Sequence, residues 1–232
     1  MPRTARLVVP GYPHHVTQRG NRRQPTFFDE SDYVAYLKLI SDLKLEAGVE
    51  IWAYCLMPNH VHFIAVPESE DSLASLFGKT HARYSKRVNQ ANEWRGHLWQ
   101  QRFHSVVMDE PHVLAAVRYV ELNPVHAGLC RLAEEWPWSS ARGHLGDAPD
   151  PLLACEPMQR RILNWRQYLS EEADDELVDR IRKKTRTGQP VGNTGFVDQL
   201  ERLTGRGLRP RRVGRPRLDD GQGGGSKARQ NK

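Results

Sequence analysis

The chain has 232 residues, 38% of them hydrophobic, and a formal net charge of +6. That suits one domain of about 150 residues with an appendage. It excludes a membrane-spanning protein, because no apolar run approaches the roughly 18 residues of a span. Only Leu7, Val8 and Val9 follow Met1–Arg6 as an apolar run, which predicts no signal peptide. Residues 205–232 hold nine Lys/Arg against two Asp/Glu, a surplus of +7, so the remaining chain is nearly neutral. A cationic arm on a neutral body suits a polyanionic partner. Three widely spaced cysteines, Cys55, Cys130 and Cys155, suggest neither a disulfide framework nor a zinc knuckle. Together these features predict a cytoplasmic, nucleoid-associated protein with no membrane partner.

Pro13 to Arg19 reads as a short strand, followed by the basic turn Gly20-Asn21-Arg22-Arg23. Tyr33, Tyr36, Leu37, Ile40 and Leu43 recur at helical spacing behind Asp29, Glu30 and Asp32, and Gly48 ends that helix. Val49 to Met57 reads as a buried strand, Pro58-Asn59 as a turn and His60 to Val66 as the next strand. A second helix carries Leu73, Leu76, Phe77, Tyr84 and Val88 on one face and Lys79, Arg83, Lys86 and Arg87 on the other. Arg102 to Met108 is a fourth strand. A third helix opens near Pro111, with Val113, Ala116, Val117 and Val120 facing the core.

The first six elements match the ferredoxin-like split βαβ order. The expected fold is α+β, an antiparallel sheet with helices mainly on one face, plus a C-terminal helix and a basic tail. The chain divides into residues 1–146, a charged helical extension over 147–204 and a basic tail over 205–232. In the extension, 156–184 and 196–203 read as helical. The tail places Arg206, Arg209, Arg211, Arg212, Arg215 and Arg217 within twelve residues, a nonspecific duplex or hairpin-stem contact. Val213-Gly214-Arg215-Pro216-Arg217 is a partial match to an A·T minor-groove hook.

Two patterns carry chemistry. In His60-Val61-His62, residues i and i+2 of a strand project to one side, so two imidazoles stand together and can chelate a divalent metal. Taken alone, such a pair reads first as structural. On the third helix, Tyr119 and Asn123 lie one turn apart, with His112 on the same flank. Alone they read as a boundary tyrosine and an asparagine ending a helix before Pro124. Taken together, two His and one amide oxygen could hold Mg²⁺ or Mn²⁺ with positions open for a phosphodiester oxygen, and the Tyr oxygen could attack phosphorus.

Met57-Pro58-Asn59-His60-Val61-His62 resembles the HUH motif, and Tyr119-x-x-x-Asn123-Pro124-Val125 the tyrosine helix of single-tyrosine HUH transposases. With the blocks His15–Arg23, Leu98–Phe103 and Trp136–Ser140, the chain resembles the REP-associated tyrosine transposases over roughly residues 5–145. The resemblance implies cleavage and rejoining of single-stranded DNA beside palindromic hairpins. Tyr119 would be the nucleophile giving a 5′-phosphotyrosine, with His60, His62 and Asn123 as metal ligands. Asn stands where insertion-sequence relatives often have Gln, one methylene longer. Arg19, Arg22 and Arg23, the helix residues Lys79, Arg83 and Arg87, and the tail residues Arg211, Arg212 and Arg215 are the candidate DNA contacts. Trp99, Trp136 and Trp138 read as core packing first and base-stacking platforms second. Monomer and homodimer both stay open.

Competing readings are weaker. A histidine-triad hydrolase would want a third His at position 64, which is Ile. A metal amidohydrolase barrel typically needs about 250 residues. A non-catalytic hairpin or A·T-rich DNA-binding protein would use the basic tail and leave Tyr119 a bystander.

Overall fold

A computed structural model describes residues 5–171 and 174–209. Arg211, Arg212, Arg215 and the partial minor-groove hook therefore lie outside the described residues. Four strands, β1 (His14–Arg19), β2 (Val49–Met57), β3 (His60–Pro67) and β4 (His104–Val107), form a sheet in the order β2-β3-β1-β4. Every neighbouring pair is antiparallel. Helix α1 (Glu30–Lys44) joins β1 to β2, and α2 (Ser72–Ala91) joins β3 to β4. This is the expected split βαβ arrangement, followed by α3 (Glu110–His126).

Local chemistry sets the helix starts. The Asp29 carboxylate accepts from the Asp32 N–H at the head of α1. Asp109 accepts from the His112 N–H at the head of α3, where Pro111 occupies the first turn. The α1 and α2 stripes bury Tyr36, Ile40, Leu76, Phe77 and Tyr84 against Val61, Phe63 and Ala65 of β3.

The α+β reading holds with one refinement: the helices do not lie mainly on one face. Ile64 and Val66 of β3 and Ala53, Cys55 and Met57 of β2 make the second face apolar too. A sheet buried on both sides needs cover on both sides. Helix α3 supplies it through Val113, Ala116, Val117 and Val120, joined by Met158, Trp165, Tyr168, Val178 and Ile181. Trp52 is an extra residue in β2, since Ile51 pairs with Ala65 and Ala53 with Ile64. That bulge switches which residues of β2 face each core.

The segment read as a charged extension shares these cores. It forms α5 (Cys155–Gln159), α6 (Trp165–Ser170), α7 (Asp175–Thr187) and α8 (Thr194–Thr204), after the short α4 (Ala141–Leu145). Val191 exchanges backbone hydrogen bonds with Val107 and Asp109, extending the sheet edge beside β4. All three cysteines are free thiols. No described helix is long and apolar enough to cross a membrane.

Candidate active site

The antiparallel register of β1 and β3 assembles the site. Arg19 stands directly opposite His60 and Thr17 opposite His62. Side chains of paired residues share a face, so His15 is the diagonal neighbour of His62 on that same face. The two rings stack at 5.1 Å, with His15 Nε2 2.8 Å from His62 Nδ1. The His60 and His62 rings meet edge-on at 4.9 Å, as their i, i+2 spacing requires.

Helix α3 brings Tyr119 to this cluster from the second-core side. Its ring lies 5.5 Å from that of His62 and 6.3 Å from that of His15, both edge-to-face. These rings line a cleft of about 590 Å³ with Arg19, Arg23 and Arg102. Arg182, Thr185 and Arg186 of α7 close its far wall. The Arg182 guanidinium lies 4.9 Å from the Tyr119 ring centroid. Tyr119 is the foremost of the groups that hold Arg182 above the ordinary arginine range.

The histidines are neutral. Burial, helped by the neighbouring Arg19 and His15, lowers His60 to about 3. Burial lowers His15 to about 4 and holds His62 well below the ordinary histidine range. The Asn59 amide nitrogen donates to the Arg23 carbonyl at 3.0 Å, which turns its oxygen toward His60 Nδ1 at 2.6 Å. That oxygen can only accept, so Nδ1 carries the proton and Nε2 of a neutral His60 carries a lone pair. The Nε2 atom of His62 is buried without a partner among the described residues. Leaving such an atom unsatisfied costs roughly 1–3 kcal/mol, which a bound cation would offset. The donor set thus fits a divalent metal. Among the described residues no three His, Cys, Asp or Glu side chains converge as a full cage. An open site of that kind leaves positions for an amide, water or phosphate oxygen.

Other predicted residues fall in different places. Asn123 sits one turn beyond Tyr119 and donates to the Tyr119 carbonyl at 3.4 Å. His112 is engaged with the Asp109 carboxylate at 2.5 Å. Arg22 and Arg23 occupy the tight turn after β1 with left-handed backbones (φ 53° and 62°), and Arg23 reaches the cleft while Arg22 is exposed beside it. Gly20 opens that turn, where a Cβ would come within 2.4 Å of the Gln24 carbonyl oxygen. Lys79, Arg83 and Arg87 are exposed on α2, across the sheet from Tyr119. Lys79 pairs with Glu46 at 2.7 Å, and Arg87 with Asp32 at 3.8 Å. Trp99 is buried, while Trp138, stacked on Tyr33 at 4.7 Å, and Trp136, donating to the Leu56 carbonyl, pack half-buried against the first core.

His15, Arg182 and Thr185 were not singled out from the sequence. His15 lies within a block that carries the family resemblance, which was the available signal for it. Nothing in the local sequence of α7 marks Arg182 or Thr185.

Residues 9–123 match the family model described as "Transposase IS200 like". A REP-associated tyrosine transposase of Escherichia coli (strain K12) is 26% identical over 102 residues, covering 44% of this chain and 59% of that protein. A putative REP-associated tyrosine transposase of Haemophilus influenzae is 24% identical over 102 residues, covering 39% of this chain and 58% of that protein. The chain thus spans under two thirds of the length of these curated relatives. A solved structure of a REP-associated tyrosine transposase bound to a REP hairpin superposes with a TM-score of 0.51 at 23% identity, covering 66% of this chain and 92% of that one. That likeness shows a shared fold.

Proposed function

Through residues 9–123 this chain belongs to the IS200-like transposase family, and from that premise we propose that it cuts and rejoins single-stranded DNA beside palindromic hairpins, with Tyr119 as the nucleophile. The observation that carries the reading is the Tyr119 ring 5.5 Å from His62, in one cleft with Arg19, Arg23 and Arg182.

The chemistry follows from these groups. Arg19 and Arg23 attract and hold the phosphodiester backbone in the cleft. The Tyr119 oxygen attacks phosphorus, the bond from phosphorus to the 3′ oxygen breaks, and the 5′ phosphate stays on the tyrosine. The phenol loses a proton and the departing 3′ oxygen gains one. Rejoining is the reverse, with a 3′-hydroxyl attacking the phosphotyrosine. Arg182, its guanidinium 4.9 Å from the Tyr119 ring centroid, adds a further positive charge beside the reacting phosphate. His60 and His62, with Asn123 as the proposed third ligand, would hold Mg²⁺ or Mn²⁺. A bound divalent cation supplies polarisation of the scissile phosphate and offsets its developing charge.

The test is incubation with a single-stranded hairpin oligonucleotide and Mn²⁺ or Mg²⁺, resolved on a denaturing gel. A covalent protein–DNA adduct is expected from the native protein and none from Tyr119→Phe. His60→Ala and His62→Ala should each abolish cleavage and keep hairpin binding. An adduct that persists in Tyr119→Phe removes the nucleophile assignment. Tight hairpin binding with no cleavage under either metal favours a purely DNA-binding role.

A further inference from the structure

The hydrogen bonds behind His62 run in one direction. The Thr185 hydroxyl on α7 donates to the Ile181 carbonyl one turn back, at 2.7 Å. A hydroxyl has one proton, so the Thr185 oxygen can only accept from a second partner. That partner is His15 Nδ1 at 3.0 Å, which must therefore carry a proton. A neutral imidazole has one N–H, which leaves a lone pair on His15 Nε2. That lone pair faces His62 Nδ1 at 2.8 Å, so the second proton sits there. His62 has then used its only N–H, and its Nε2, the buried unpartnered atom, is a bare lone pair.

We propose that Thr185 and His15 are positioning residues for His62: the chain Ile181–Thr185–His15–His62 holds His62 as its Nδ1–H tautomer, so that Nε2 is the nitrogen available to a divalent cation. The proposal rests on the reading of His62 as a metal ligand and deepens it. Both imidazoles are buried, His15 at 2% and His62 at 5% exposure, so water does not compete for these bonds. Reversing the order would set His15 Nδ1 and Thr185 as two acceptors facing each other, and a buried lost bond is costly. Outer partners of this kind fix the ring and tautomer of a ligating histidine. The head of the relay lies on α7, outside residues 9–123 that match the family model. The C-terminal segment therefore builds part of the candidate metal site.

The experiment has a metal-free arm and a metal arm. Full-length ¹⁵N-labelled protein near pH 7.5 is examined by long-range ¹H–¹⁵N correlation of the histidine rings. His62 is expected to show a protonated Nδ1 and an unprotonated Nε2. Thr185→Val, close in shape, should move His62 toward the Nε2–H form. It should also weaken Mn²⁺ binding, read from free Mn²⁺ by electron paramagnetic resonance, by about 10- to 100-fold. Thr185→Ser should restore both. If Thr185→Val does not fold, His15→Phe provides the same break at the next link, with the same expected loss. A proton on Nε2 of His62 in the native protein overturns the relay. So does an unchanged tautomer and Mn²⁺ affinity in the folded variants. Undiminished Mn²⁺ binding by His62→Ala would instead retire the ligand reading, and the ring pattern would judge the relay on its own.

Discussion

Arg182 of α7 places its guanidinium 4.9 Å from the ring centroid of Tyr119 on α3. The two helices pack together on the second face of the sheet, and both reach the cleft there. A cation at this position attracts the electron-rich ring and holds it in the cleft. Arg182→Ala should therefore slow formation of the covalent adduct by roughly 2- to 5-fold, the equivalent of about 0.5–1 kcal/mol for a cation–π contact at an exposed arginine. Arg182→Lys should fall between. Single-turnover rates on a hairpin oligonucleotide measure this, and a rate equal to the native one would deny Arg182 any role in the attack.

Glu121 is the least expected residue of α3. It is fully buried, and its carboxyl group accepts from Ser140 Oγ at 2.5 Å, His144 Nδ1 at 2.6 Å and Trp165 Nε1 at 2.8 Å. It ties α3 to α4 and α6. Glu121→Ala would strand these donors in the core and should cost about 3–5 kcal/mol, the usual penalty for breaking a buried network. Glu121→Gln, which keeps one acceptor oxygen, should cost less. Urea unfolding midpoints give the comparison, and a loss under about 1 kcal/mol for Ala would contradict the network.

Two histidines away from the site make stability depend on pH. Burial lowers His14 to about 4 and His81 to about 3. His14 Nδ1 sits 2.7 Å from the Tyr12 carbonyl and its Nε2 accepts from the Val9 N–H, so protonation would set two N–H groups against each other. The unfolded chain binds protons at these rings near pH 6.5, whereas the folded one resists until about pH 3–4. Stability is then complete above about pH 6.5 and falls as the pH drops through that window, by about 1.4 kcal/mol per pH unit for each ring. The decline should begin at pH 6, before carboxylates protonate. Urea midpoints at pH 7, 6 and 5 test it, and His81→Phe should flatten the slope.

The C-terminal segment splits into two predictions. A chain ending at residue 146 loses Met158, Trp165, Tyr168, Val178, Ile181 and Val191 from the second core. It should fail to fold cooperatively, seen as a lost thermal transition. Removing residues 210–232, which hold seven Lys/Arg and two Asp/Glu, should leave thermal stability unchanged. It should weaken hairpin affinity and flatten its salt dependence, because fewer phosphate charges are neutralised. An unchanged salt slope would remove Arg211, Arg212 and Arg215 from the DNA contacts.

The sequence by itself determined the order of elements and the pairing of the chemistry within each. His60 and His62 share a strand face because side chains alternate. Tyr119 and Asn123 share a helix flank because 3.6 residues make a turn. These are local rules, legible from spacing alone. Glu121 was not legible, because a carboxylate between two core positions becomes a buried hub only when Ser140, His144 and Trp165 converge on it. Only the tertiary structure decided which groups surround His62 and Tyr119. His15 meets His62 through the β1–β3 register, and Thr185 and Arg182 arrive from α7 once the second face of the sheet is covered. Those contacts join residues far apart in the chain, where burial and hydrogen-bond satisfaction act and local periodicity carries no information.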